Sequence, residues 1–169
     1  GNFNRDNISD DGVARILLEL HVPFVMVDAE ADFSPFRVLV LPDEVWIEVG
    51  LREKIAEFIN AGGKLLLSGA SGMDPKEMRF ELELGLEYHS EMGEYVPDYI
   101  HASPALDVDL PDAPFVIYER PYRVRGGANE VVAQSVEPYF NRTWDHFCSH
   151  QHAPYRCTPS CEIDPVVVG

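Results

Sequence analysis

The sequence predicts an α/β domain, a three-layer α/β/α sandwich built on a mainly parallel sheet. Three observations carry this. Helical and strand patterns in the first half follow the order helix, strand, strand, helix, strand. Two of the strand patterns, Arg37–Pro42 and Lys64–Gly69, are continuous apolar runs, as expected of strands buried on both faces. No hairpin signal separates the strands, so crossover connections lay them parallel beneath helices.

Each element has a local reason. Ser9 and Asp10 are N-cap residues for a helix from Gly12 to His21, whose Val13, Ile16, Leu17 and Leu20 recur at helical spacing. Pro23 stops it, and Pro23–Asp28 reads as a short strand. A turn-rich link, Asp32–Phe36, leads into the Arg37–Pro42 strand. The next helix, Val49–Asn60, places Leu51, Ile55, Phe58 and Ile59 on one face and ends at Ala61-Gly62-Gly63, a glycine C-cap. Beyond Gly72 the pattern loosens. Phe80–Gly85 reads as helical, Tyr95–Ala105 as irregular, and Pro114–Tyr118 and Glu130–Gln134 as strands around a turn at Gly126-Gly127. Val166–Val168 reads as a strand just begun. The expectation is one α/β domain over residues 1–169, excised from a longer chain and cut at its C-terminal side.

Composition narrows the function. The chain is 46% hydrophobic and 25% charged over 169 residues, enough for a packed core. Its formal net charge of -16 repels phosphate, which argues against nucleic acid and against anionic membranes as partners. No apolar run approaches the roughly 20 residues of a membrane span. The polar start, Gly1 to Asn7, has no signal-peptide pattern, so a cytoplasmic location is expected. Cys148, Cys157 and Cys161 are an odd count in a chain too long for a disulfide scaffold, and reduced thiols are expected, with a Cys157–Cys161 bridge open to an oxidising compartment.

The stretch from Gly12 to Gly72 resembles the trimerisation domain of beta-galactosidases that carry a catalytic barrel before it. The resemblance rests on a helix followed by Val25-Met26-Val27-Asp28, the Asp32-Phe33-Ser34-Pro35-Phe36 link, Val38-Leu39-Val40-Leu41-Pro42, and Phe58-Ile59-Asn60-Ala61-Gly62-Gly63-Lys64-Leu65-Leu66-Leu67, in that order. Tyr139 to His150 looks like a segment of bacterial glycosidase-like proteins of the same architecture. The resemblance implies a flavodoxin-like fold, similar to class I glutamine amidotransferases. It also implies oligomerisation, with a trimer favoured, and a place walling the active site of the chain's own catalytic barrel, so that carbohydrate is met through the parent enzyme. It supplies no catalytic residue, because the acid and nucleophile carboxylates of such enzymes sit on the barrel. No cofactor is expected.

Candidate chemistry is sparse. An amidotransferase-like enzyme needs a nucleophile elbow after a central strand, but Gly69-Ala70-Ser71-Gly72 is one residue short of that spacing, and no cysteine precedes Cys148. The densest cluster is Asp145, His146, Cys148, His150 and His152. On an extended strand Cys148, His150 and His152 share one side and offer three zinc ligands, with Cys157 or Cys161 as a fourth. The plain alternative is a polar loop whose imidazoles hydrogen-bond locally. A third reading takes Trp144, His146, His150 and His152 to the parent's active site, where the indole meets a sugar face and the imidazoles meet hydroxyls. The acidic pairs Asp10-Asp11, Glu81/Glu83 and Glu91/Glu94 read as solvated surface. The competing functional classes are therefore a structural module of a glycosidase, a small-molecule- or metal-binding module, and an independent enzyme on an amidotransferase-like fold.

Overall fold

The computed structural model describes residues 8–74, 76–77, 79–90, 97–103, 106, 109–118, 122–125, 130–143, 145, 153–156 and 166–168. The chain divides into two compact units, residues 1–77 and 78–169.

The first unit holds helix α1 (Ile8–Glu19), strand β1 (Val38–Leu41), helix α2 (Val49–Asn60) and strand β2 (Lys64–Leu67). Helix α1 starts ahead of the expected cap, so Ser9 and Asp10 lie in its first turn. It closes with His21 at φ 55 and with Val22 N–H donating to the Leu17 carbonyl at 2.9 Å, a left-handed C-terminal cap made without glycine. Helix α2 has the predicted bounds and closes in the same manner with Gly62 at φ 93, where Gly63 N–H donates to the Phe58 carbonyl at 2.9 Å. The crossover through α2 makes β1 and β2 parallel, pairing Val38 with Lys64 through Leu41 with Leu67. Ile55 and Phe58 are the buried residues of α2, which packs on β2. Phe58 meets the ring of Phe33 edge-on with centroids 6.5 Å apart. A Cβ at Gly63 would stand 2.3 Å from the Phe58 ring, so this glycine is there for the close approach and not for its φ.

The second unit is antiparallel. Strands β3 (Glu87–Ser90), β4 (Asp98–Ala102), β5 (Phe115–Ile117), β6 (Arg123–Arg125), β7 (Glu130–Val136) and β8 (Val166–Val168) form a pair, β3-β6, and a four-stranded sheet in the order β5-β4-β7-β8. Its core uses Tyr99, Val132, Ala133 and Val136.

The three-layer parallel sandwich, and with it the flavodoxin-like and amidotransferase-like description, is therefore overturned. The described residues contain two helices and one parallel pair, and the remaining pairs are antiparallel. The parallel rule holds where a helix links the strands, from β1 to β2. Past Gly72 no helix links the strands among the described residues, and they turn back on one another. Phe80–Gly85 forms no helix, and the stretch read as irregular holds β4. Pro23–Asp28 is not a strand: none of its residues pairs in a sheet. The strands expected at Pro114–Tyr118, Glu130–Gln134 and Val166–Val168 are present as β5, β7 and β8.

Candidate functional site

In the first unit, the turn after β2 is tied to the loop after β1. Asp43, at φ 43, gathers its neighbours: Ser68 Oγ donates to its Oδ1 at 2.8 Å, Ser9 Oγ to its Oδ2 at 2.5 Å, and its own amide donates to Ser68 Oγ at 3.0 Å. Ser71, buried, accepts the Val45 amide at 3.0 Å through its hydroxyl. Both turn serines thus join the loop after β1 to the turn after β2. Gly69, at φ 56, keeps the turn close, since a Cβ there would lie 2.9 Å from Asp43 Cα.

A shallow cleft of about 310 Å³ lies between the Asp32–Phe36 link and α2, lined by Phe33, Phe36, Lys54, Glu57 and Phe58 among others. Lys54 Nζ donates to the carbonyls of Ala29 and Ala31 at 2.5 and 2.7 Å and stands 4.7 Å above the centre of the Phe33 ring. Its charge is thereby tied to the backbone of the link. Asp32 accepts the Ser34 amide at 2.9 Å and the Ser34 hydroxyl at 2.8 Å, and these bonds hold its carboxyl below the usual 3.8.

The second unit contains a buried charged cluster. Asp98 is fully enclosed, with Arg123 Nη2 at 3.3 Å and Ser135 Oγ at 3.5 Å from its Oδ2. Burial pushes its carboxyl above 3.8, opposed by the Tyr99 amide and by the charge of Arg123. Arg123 also reaches Glu137 at 3.5 Å, and Glu137 reaches Arg156 at 3.7 Å. Beside it, Tyr99 Oη donates to the Ala153 carbonyl at 2.6 Å and the Tyr99 ring meets Tyr155 edge-on at 5.4 Å. A bridge between Pro138 and Tyr155, with Tyr139 N–H on the Pro154 carbonyl and Arg156 N–H on the Glu137 carbonyl, clamps the two chain segments together. In sequence Asp98-Tyr99 sits in an irregular stretch, where a surface loop is the plain reading and a groove lining the alternative, but both are buried in β4. Asp98, Arg123 and Glu137 stand far apart in an acidic chain, and nothing local marks them as partners.

In sequence, the clamped residues flank the segment singled out above. Trp144, His146, Cys148, His150, His152, Cys157 and Cys161 are outside the described residues, and Asp145 is exposed. Among the described residues no three His, Cys, Asp or Glu side chains gather as a metal site, and no helix is long and apolar enough to cross a membrane.

Comparison with known proteins bears on both units. Residues 15–94 match the model of the beta-galactosidase trimerisation domain, the family that Gly12–Gly72 resembles. Alpha-L-fucosidase isoenzyme 2 from Paenibacillus thiaminolyticus is similar in structure, with a TM-score of 0.82 and 34% identity over 92% of this chain. The chain spans 24% of that enzyme's length. No curated protein sequence matches it.

Proposed function

From the match of residues 15–94 to a trimerisation domain, we propose that this chain is a non-catalytic assembly and active-site-framing module of a larger glycoside hydrolase. That match is the observation that carries the reading. The 34% identity to a fucosidase four times its length supports a glycoside hydrolase as the parent, since the chain corresponds to about a quarter of that enzyme. Both turn serines are engaged in loop contacts, which supports a structural role for the turn after β2.

Assembly needs apolar surface, and the first unit has it: Leu18 of α1 and Val49 of α2 are 66% and 63% exposed. In this reading the catalytic barrel and further copies of the chain, three in all, are the partners. Light scattering after size exclusion, across a concentration series, tests it. A closed oligomer is expected. A monomer at every concentration overturns assembly by this chain alone.

Framing falls to the segment between Pro138 and Tyr155 in sequence. In this reading Trp144, His146, His150 and His152 face carbohydrate in the parent. His150→Ala in the parent enzyme is expected to raise KM about tenfold with kcat little changed, the signature of lost uniform binding. An unchanged KM removes the imidazole from the sugar site.

A further inference from the structure

Among the described residues of the first unit, two stretches of backbone keep an edge unpaired. Residues Val22 to Val27 form an apolar run bounded like a strand: the α1 cap ends at the Val22 amide, and the Asp28 carboxylate accepts the Glu30 and Ala31 amides in a turn. Yet the backbone groups of Phe24 to Val27 make no hydrogen bond among the described residues, and their side chains are exposed. Strand β1 pairs with β2 on one edge, and no described strand pairs with its other edge. The pair is covered on one face. Leu39 is buried, with Leu41, Leu65 and Leu67 half-buried on its side, while Val38 and Leu66 lie bare on the opposite face. Helix α1, with its apolar Ile16 and Leu18 exposed, buries no residue at all.

A parallel pair of continuous apolar strands belongs in a sheet covered on both faces. An open row of amides and carbonyls beside apolar side chains needs backbone partners, which only another extended chain supplies in full. We infer that one apolar β-strand from elsewhere in the larger polypeptide inserts here, pairing with the free edge of β1 on one side and with Phe24–Val27 on the other. A helix in that place would leave both edges unbonded, so the open backbone selects a strand. The net charge of -16 selects one whose flanks are neutral or basic. The inference rests on the proposed membership in a longer glycoside hydrolase chain, and it assigns the open edge of β1 and the Phe24–Val27 run to that chain and not to a second copy.

Amide hydrogen exchange on the 169-residue chain tests it, with and without a short synthetic peptide of valine and isoleucine flanked by lysine. The peptide is expected to slow exchange at Phe24–Val27 and Val38–Leu41 together, by at least about tenfold and saturably. Met26→Pro removes an amide from the run without removing a bond from the chain as it stands, and is expected to abolish the slowing at Phe24–Val27. Protection that grows with protein concentration in the absence of peptide assigns the edge to a second copy and overturns the inference. So does slowing confined to one of the two segments, or none. Light scattering of the same samples keeps the two readings apart: a monomer whose edge the peptide protects sinks oligomerisation and keeps the strand, and an oligomer indifferent to peptide does the reverse.

Discussion

Asp98 and Asp32 show how one residue type acquires opposite behaviour from its surroundings. Asp98 is enclosed and its carboxyl is raised above 3.8, so the folded state holds its proton more tightly than the unfolded chain does. Its contribution is complete below 3.8 and is lost as pH rises through the raised folded value. Asp32 is lowered by the Ser34 bonds; its contribution is present above 3.8 and is lost as pH falls through the lowered folded value. Denaturant titrations of Asp98→Asn and Asp32→Asn against the parent sequence are therefore expected to differ in slope with opposite sign, the first above 3.8 and the second below it. At neutral pH Asp98→Ala leaves the buried Arg123 guanidinium without its nearest carboxylate, and a loss of about 3 kcal/mol is expected in chemical unfolding. At Gly63, an alanine must displace the Phe58 ring that lies 2.3 Å from the new Cβ. A cost of about 1–3 kcal/mol is expected there, with lowered midpoint and unchanged denaturant slope.

Among the elements, α2 was legible because its signals agree: apolar spacing at Ile55 and Phe58, a glycine end at Gly62, and strands on either side. Ile55→Ala is expected to cost about 2–5 kcal/mol, since Ile55 is wholly enclosed, and thermal unfolding checks it. The run Val22–Val27 shows where such reading fails. It has strand composition and strand boundaries, but a strand also requires a neighbour, and composition cannot say whether one is within reach. The antiparallel half was hidden for the reverse reason. Asp98–Ala102 contains charge, an imidazole and a tyrosine, with no clean alternation, and becomes β4 because β5 and β7 pair with it from distant sequence. The candidate site divides in the same manner. The His and Cys residues between His146 and His152 were visible as a cluster in sequence, whereas the Asp98–Arg123–Glu137 chain of charges exists only once three separate segments meet.

At the scale of the molecule, the two units differ in how they are held. The second is cross-linked by ladders between β5, β4, β7 and β8 and by the ion pairs around Arg123. The first depends on α2 lying over a two-stranded pair, and its α1 contributes no buried side chain. Limited proteolysis of the isolated chain is expected to cut first between Leu18 and Asp28, where exposed apolar residues and unbonded backbone coincide. First cleavage within β7 would contradict this ranking.

The bridge between Pro138 and Tyr155 has a consequence for how such a protein changes over generations. Because the hydrogen bonds joining Glu137 and Tyr139 to Pro154 and Arg156 run between backbone groups, this pairing does not depend on which side chains the sequence between them carries. Substitution or a change of length within that sequence is then tolerated while the pairing is inherited unchanged.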